Sequence, residues 1–179
     1  MKFPGHETTP FNKATGLPEG WEKKKIVNFN SLSQYKKKVT KFEDEIEYLA
    51  TANVDGIAIT ERGEMVNWVN KPSRAQILPP KESVWFARMS NTYKVLHFTK
   101  QTNNNVLLSS GFAGFIPKNS NCLAFLFCMI KSEKFDLQKN MYASGSTQVS
   151  LNNQGLSLMN EIEPSLELIE KFGEIDNKK

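Results

Sequence analysis

The chain has 179 residues, of which 39% are hydrophobic and 11% aromatic, and this composition excludes a disordered protein and suits one globular domain. Its 23 Lys and Arg residues outnumber 19 Asp and Glu residues, leaving a net charge of +4 that is compatible with a polyanionic partner. No apolar run approaches the roughly 20 residues of a membrane helix, and the first residues lack a signal-peptide core. We therefore expect a cytoplasmic protein without a membrane partner.

The charges are distributed unevenly along the chain. Lysines are concentrated in the early part, namely Lys23, Lys24, Lys25, Lys36, Lys37, Lys38 and Lys41. Acidic residues dominate the end, namely Glu161, Glu163, Glu167, Glu170, Glu174 and Asp176. This asymmetry suggests that one region faces phosphates while another faces away, although a lysine run can also be only a solvated face.

The first half of the chain reads as an irregular arm followed by strands. Residues 1–20 are rich in Pro, Gly and Thr and lack a hydrophobic period, and we expect Trp21 to anchor this arm to the core. Residues 46–54 and 57–60 predict two strands joined by a turn at Asp55 and Gly56. Further strand candidates are residues 65–69, 84–89, 95–98, 105–109 and 111–116.

The last third reads as helical. Residues 122–130 are apolar all round, and with the residues up to Met141 they predict a buried helix pair or one interrupted helix. A loop follows at residues 143–148. Beyond Pro164, the apolar residues Leu166, Ile169 and Phe172 recur at helical spacing. The chain is thus predicted to be a single α+β domain, with mostly antiparallel strands in the first two-thirds and helices in the last third.

The residues that catalysis would need are sparse, so we predict no enzymatic activity, no metal and no cofactor. His6 falls in the loose arm, and His97 lies in an apolar stretch where a satisfied structural histidine is expected. The acidic cluster of residues 43–45 with Glu47 is interpreted as a solvated face, because adjacent side chains diverge. Cys122 and Cys128, inside an apolar run, are interpreted as buried reduced thiols.

Three stretches together resemble the specificity subunits of type I restriction-modification systems. The first is residues 17–22, Leu-Pro-Glu-Gly-Trp-Glu. The second is the loop of residues 71–75, Lys-Pro-Ser-Arg-Ala, with the strand of residues 84–89 and Lys94 after it. The third is residues 144–148, Ser-Gly-Ser-Thr-Gln, followed by Leu156, Pro164 and the helical residues 166–172. Their order over about 150 residues makes the chain similar to one target-recognition domain of that family.

The resemblance implies a division of the chain and a set of partners. Residues 1–20 would be an irregular N-terminal arm, residues 21–163 the DNA target-recognition domain, and residues 164–179 the start of a C-terminal spacer helix. In the family, two such domains each read half of a split site in double-stranded DNA, and separate methylation (M) and restriction (R) subunits carry the chemistry. The length here suits one domain, so a second recognition domain or self-association would complete the site.

DNA recognition needs cations for phosphates and forked or amide side chains for base edges. Arg74 and Arg88 are the best candidates for guanine contacts or bidentate phosphate contacts, with Lys71, Ser73 and Lys94 beside them. Each has a structural alternative, since an arginine can simply cap a loop.

Two polar segments complete the candidate set. Asn91 and Tyr93 belong to a turn that either reaches bases or only connects two strands. Ser146 and Thr147 suit close approach to a phosphate, and Gln148 suits pairing with adenine, unless the loop is purely structural. The predicted function is a non-catalytic DNA-binding domain that recognises half of a bipartite site. The alternatives are an assembly module without its own DNA specificity and a small metal-dependent nuclease.

Overall fold

The structure is a computed structural model that describes residues 10–102 and 105–176. Its strands are β1 (Glu22–Lys25), β2 (Leu32–Gln34), β3 (Ile46–Leu49), β4 (Val54–Asp55), β5 (Ala58–Ile59), β6 (Glu64–Val66), β7 (Ala75–Ile77), β8 (Ser83–Ala87), β9 (Val95–Phe98), β10 (Val106–Ser109), β11 (Phe112–Pro117) and β12 (Asn160–Glu163). Its α-helices are α1 (Leu123–Ile130), α2 (Glu133–Met141), α3 (Asn153–Leu158) and α4 (Leu166–Asp176). Short 3₁₀ turns occupy Ile26–Asn28, Thr51–Asn53 and Ser120–Cys122.

The strands form two four-stranded sheets and two small ribbons. The strand orders are β6-β3-β10-β7 and β2-β11-β8-β9, and the ribbons are β1-β12 and β4-β5. The pairings in the described part of the chain are antiparallel apart from that of β3 with β10. Together with the helices of the last third, they confirm the predicted α+β class.

The sheet that contains β8 is the middle of three layers. All five residues of β8 are buried, as expected for a strand that is covered on both faces. Because side chains alternate along a strand, Val84 and Phe86 pack with the helices, whereas Trp85 and Ala87 pack with residues of the other four-stranded sheet. Gly114 lies opposite Trp85 in the pairing, and a Cβ there would come within 2.4 Å of the indole ring.

The predicted helix pair is confirmed and divides at Ser132. The Ser132 hydroxyl accepts a hydrogen bond from the amide of Phe135 at 3.2 Å and so caps the start of α2. Phe135 is buried against Phe86, with ring centroids 4.9 Å apart. The cap therefore starts a second helix, so that α1 does not continue as one long helix.

The expected separation of basic and acidic regions is wrong where β1 pairs with β12. In the β1-β12 ribbon, Lys24 lies opposite Glu161, and its Nζ is 2.6 Å from the carboxylate of Glu163. Strand β12 lies in the part predicted to be helical, so the local sequence does not predict its pairing with β1. The lysines that stay exposed and away from the ribbon are Lys36, Lys37, Lys38 and Lys41.

The hairpin predicted at residues 46–60 is smaller than expected. Strand β3 ends at Leu49, a 3₁₀ turn follows, and only β4 and β5 pair. The side chain of Asn53 causes this break in part, because its Oδ1 accepts a hydrogen bond from the amide of Ala50 at 2.8 Å. The loop of the small hairpin holds Gly56, with φ of 54°, and Ile57.

The last helix packs on the domain through a different stripe from the predicted one. Ile169 is buried as expected, but Leu166 and Phe172 are only half-buried, and the other buried positions are Leu168 and Gly173. A Cβ on Gly173 would lie 1.9 Å from the carbonyl oxygen of Asn121. The helix therefore approaches the backbone of the Ser120–Cys122 turn directly. None of the helices among the described residues is long and apolar enough to cross a membrane.

Candidate functional site

Four segments that are distant in the sequence meet in a row of backbone hydrogen bonds. The amide of Ser110 donates to the carbonyl of Arg74 at 2.7 Å, and the amide of Arg88 donates to the carbonyl of Gly111 at 2.8 Å. The amide of Leu151 in turn donates to the carbonyl of Arg88 at 2.8 Å. The loop before β7, the β10-β11 turn, the end of β8 and the α2-α3 loop therefore lie side by side.

Two adjoining surface cavities open along this row. The first, which we call the lysine cavity, has a volume of about 210 Å³ and is lined by Gln34, Lys36, Lys37, Lys38, Gln76 and Asn153 among others. The second, which we call the arginine cavity, has a volume of about 170 Å³ and is lined by Thr51, Arg74, Gly111, Gln148 and Ser150 among others. Arg88 and Ser110 line both cavities. The two cavities therefore adjoin at these two residues.

Arg74 and Gln148, two of the sequence-predicted residues, meet at the arginine cavity. Both side chains are exposed, and neither makes a side-chain hydrogen bond or ion pair within the described residues. A guanidinium and a primary amide can each form bidentate hydrogen bonds with a purine edge. The cavity therefore offers uncommitted donors and acceptors of the kind that base recognition uses.

Arg88 is committed to the protein itself. Its Nε donates to the carbonyl of Phe112 at 3.2 Å, its Nη1 to the carbonyl of Leu151 at 2.9 Å and its Nη2 to Oδ1 of Asn153 at 3.1 Å. Burial lowers the pKa of the Arg88 guanidinium, although an arginine remains protonated in proteins. With three of its five N–H groups bonded, its geometry favours a role in holding these segments together.

Lys71 and Ser73, although next to Arg74 in sequence, line neither cavity. Lys71 donates to the carbonyl of Ala75 at 3.0 Å and lies over the ring of Trp68, with Nζ 4.9 Å from its centroid. Ser73 is exposed, and its carbonyl accepts a hydrogen bond from the side chain of Gln76 at 2.7 Å. Both residues shape the loop that presents Arg74.

The turn after β8 packs on α2. The amide of Asn91, which has φ of 57°, donates to Oδ1 of Asn140 at 2.9 Å. The hydroxyl of Tyr93 donates to the carbonyl of Lys131 at 3.1 Å, and burial raises the pKa of Tyr93, with a further rise from Asp136. These contacts fit the connecting-turn alternative for Asn91 and Tyr93.

Lys94, which follows this turn, contacts a residue of the arginine cavity. Its Nζ donates to the carbonyl of Thr51 at 2.9 Å, and Thr51 lines that cavity. Lys94 is half-buried, so its charge lies near the cavity while its ammonium group is tied to the backbone.

The α2-α3 loop carries Ser146, Thr147 and Gln148, all exposed, and of the three Gln148 alone lines the lysine cavity or the arginine cavity. The neck of the loop is closed by Ser144 and Ser150, whose backbones exchange hydrogen bonds of 3.0 and 3.1 Å. Gly145 has φ of 132°, and a Cβ there would lie 2.5 Å from the carbonyl of Gln148. The loop conformation that displays Gln148 therefore requires glycine at position 145.

The sequence alone missed Gln76, Ser110, Gly111 and Thr51 as lining residues. Ser110 and Gly111 carried no signal, because their position depends on pairing with Arg74 and Arg88 far away in the sequence. The lysine run was visible in the sequence, but nothing local separated Lys36 to Lys38, which line a cavity, from Lys23 to Lys25, which lie in the β1-β12 ribbon.

His97 is half-buried in β9, and the expectation that its polar groups would be satisfied is wrong. Its ring stacks on Phe127 with centroids 4.3 Å apart, and its buried Nε2 has no hydrogen-bond partner among the described residues. Burial lowers the pKa of His97, which Asp176 partly opposes. In the acidic cluster, residues 43–45 are exposed, and Glu47 accepts a hydrogen bond from the amide of Gly63 at 2.8 Å.

A larger cleft lies elsewhere, between the arm and the β1-β12 ribbon. It has a volume of about 1080 Å³ and is lined by Trp21, Lys24 and Lys134 among others. Lys24 and Lys134 each lie 2.6 Å from a buried glutamate, Glu163 and Glu161 respectively. Because two of the three lysines that line this cleft are already paired with glutamates, we place the candidate site at the two smaller cavities.

Solved structures share this fold. The chain is similar to the HsdS subunit from Thermoanaerobacter tengcongensis, with a TM-score of 0.67, 16% identity, and coverage of 93% of this chain and 43% of that chain. It is also similar to a structure described under complex assembly and conformational transition of the type I R-M system, with a TM-score of 0.55, 13% identity, and coverage of 96% and 41%. For the type I restriction-modification S subunit from M. genitalium, the TM-score is 0.50, the identity 14% and the coverage 88% and 37%.

The chain spans about two-fifths of the length of these structures. No protein-family model and no curated protein matches it significantly. The structural similarity nevertheless confirms the resemblance derived from the three sequence stretches. The chain has the fold of one part of a type I restriction-modification S subunit.

Proposed function

We propose that this chain is a non-catalytic, sequence-specific DNA-binding domain that recognises one half of a bipartite site for a type I restriction-modification complex. The observation that carries the proposal is the meeting of Arg74 and Gln148, both uncommitted, at one cavity. In this role, Arg74 reads a base edge with its forked guanidinium and Gln148 reads one with its amide. Residues 21–163 form the recognition domain, and residues 164–179 begin the spacer helix.

The lysine cavity supplies the phosphate contacts. Lys36, Lys37 and Lys38 are exposed and make no ion pair within the described residues. Since the cavity adjoins that of Arg74 through Arg88 and Ser110, a duplex seated on one reaches the other. Phosphate contacts there fix the register of the duplex, and base contacts at the arginine cavity specify its sequence.

The partners follow from the same proposal. One of the similar structures belongs to work on assembly of a type I R-M system, so we expect the methylation and restriction subunits as protein partners. A second recognition domain or a second copy of this chain would read the other half-site. The role as an assembly module without DNA specificity is the alternative.

The salt dependence of DNA binding tests the proposal. The affinity for randomised duplex DNA is measured between about 50 and 200 mM salt for the natural chain and for a variant with Lys36, Lys37 and Lys38 all changed to Ala. Each lost phosphate contact should reduce the slope of log affinity against log salt by about 0.9. The affinity at low salt should fall in parallel.

A matched control changes three exposed lysines that line neither cavity, Lys13, Lys81 and Lys118, to Ala. This control removes the same net charge, so its slope should stay close to that of the natural chain. Equal slopes for the two triple variants would contradict a phosphate site at the lysine cavity. Absence of DNA binding by the natural chain at low salt would favour the assembly role.

A further inference from the structure

The side chain of Arg88 lies where the two cavities meet, but its guanidinium group is already bonded to the protein. It lines both of them, yet its three nitrogens all donate to protein oxygens. Two of these acceptors, the Leu151 carbonyl and the Asn153 side chain, lie at the end of the α2-α3 loop, whereas the third, the Phe112 carbonyl, lies in the sheet. The side chain is thus a clamp between the loop and the sheet.

The backbone of Arg88 continues the same connection. Its amide and carbonyl bond to Gly111 and Leu151 at 2.8 Å each. Backbone and side chain together make five hydrogen bonds that join the β10-β11 turn and strand β11 on one side to the loop and α3 on the other. Besides Arg88, the amide of Ser90 donates to the carbonyl of Val149 at 3.0 Å, and the side chains of residues 144–149 are exposed.

The charge of this clamp is not neutralised by a carboxylate. Its side-chain acceptors are two carbonyls and one amide oxygen, and no ion pair to Arg88 occurs within the described residues. A lysine at this position would keep the charge but could not reach three acceptors in the planar geometry of a guanidinium. The planar hydrogen-bonding geometry of Arg88 and its positive charge can therefore be tested by separate substitutions.

We infer that Arg88 is a positioning residue, which fixes the α2-α3 loop so that Gln148 faces the same cavity as Arg74. This inference rests on the proposed function, because it assigns Arg88 the task of setting the spacing between two base-reading side chains. A displaced loop would move Gln148 while leaving Arg74 in place, since Arg74 is held by Ser110 of the β10-β11 turn.

The first test uses the free protein. Amide hydrogen exchange of Ser144, Ser150 and Leu151 reports directly on the loop, because all three amides donate to backbone carbonyls there. In Arg88→Lys, we expect these amides to exchange about tenfold faster or more, while amides of β8 and β11 keep their protection. Arg62→Ala, which changes a side chain that is 92% exposed and lines neither cavity, should leave the loop amides unchanged.

The second test uses DNA and a double-mutant cycle. Arg88→Lys should lose its preference at the same base pair as Gln148→Ala. The double variant should lose no more discrimination than the more affected single variant, because both substitutions remove the same base contact by Gln148. The salt slope should stay unchanged. Additive losses at two different base pairs, or a slope lower by about 0.9 in Arg88→Ala, would show a direct contact by Arg88 and overturn the inference.

The two tests separate the possible failures. Unchanged loop exchange in Arg88→Lys, with normal DNA selection by the natural chain, would overturn the positioning role and leave the proposed function standing. Faster loop exchange in a chain that selects no DNA sequence would show the clamp but overturn the proposed function, and with it the recognition role of Arg88.

Discussion

Lys24 on β1 and Glu163 on β12 form an ion pair of 2.6 Å that joins two segments 139 positions apart in the chain. The carboxylate of Glu163 is 4% exposed and also accepts hydrogen bonds from the amides of Asn30 and Ser31 and from the Ser31 hydroxyl. Burial by itself raises the pKa of Glu163, but the hydrogen bonds from Lys24, Ser31 and Asn30 outweigh burial, and the net effect is a lowered pKa.

This lowered pKa predicts acid sensitivity. A carboxyl whose pKa is lower in the folded state stabilises the fold above its unfolded pKa, about 4.3 for glutamate, and this contribution is lost as the pH falls through the folded value. Glu163→Gln should therefore cost about 1–3 kcal/mol of unfolding free energy at pH 7. The difference from the natural chain should shrink as the pH falls below about 4.

Urea unfolding of both chains between pH 7 and 3 measures this difference. Glu22→Gln is the matched control, because Glu22 also contacts Lys24 but its side chain is 68% exposed, and it should cost less than about 1 kcal/mol. A Glu163→Gln penalty that is the same at pH 7 and pH 3 would argue against an ionised Glu163 in the fold.

The close approach of α4 to the Ser120–Cys122 turn predicts a strict requirement for glycine at position 173. Gly173→Ala would place a methyl group 1.9 Å from the carbonyl oxygen of Asn121, so the helix must shift. We expect a loss of about 1–3 kcal/mol of unfolding free energy. Thermal unfolding measures it, with Glu174→Ala at the exposed neighbouring position as control, and equal melting temperatures of the two variants would contradict the packing described.

A substitution at Gly145 in the α2-α3 loop should change DNA selectivity without destabilising the core. Gly145→Ala would bring a methyl group within 2.5 Å of the Gln148 carbonyl, in a backbone conformation that costs a non-glycine residue about 1–3 kcal/mol. Because this region is exposed, the loop should rearrange while the melting temperature hardly changes. DNA selection by Gly145→Ala should weaken at the base pair that depends on Gln148. The control Ser146→Ala should keep normal selection at that base pair. Normal selection by Gly145→Ala would show that this loop geometry is not required.

The fold class could be predicted because its signals are local. Alternating and continuous apolar runs gave most of the strands, and the apolar residues 122–130 gave the first helix. The apolar pattern left a helix pair and one interrupted helix open, and the break at Ser132 depends on a capping hydrogen bond to Phe135. The pairing of β1 with β12 could not be predicted, because it joins the two ends of the described fold.

The candidate site was predictable only in part for the same reason. Arg74 and Gln148 were recognisable from their chemistry, but their meeting at one cavity depends on the long-range row through Ser110 and Arg88. Arg88 had the right chemistry for a base contact, and only the fold reveals its three protein acceptors.

Selection from a randomised duplex library, followed by sequencing of the bound fraction, tests the central claim most directly. The natural chain should enrich a short motif, Arg74→Ala and Gln148→Ala should each blur one base pair by about 1–3 kcal/mol of discrimination, and Arg62→Ala should leave the motif intact. A natural chain that binds without enriching any motif, or a motif that survives both the Arg74 and the Gln148 variants, would contradict recognition at the arginine cavity.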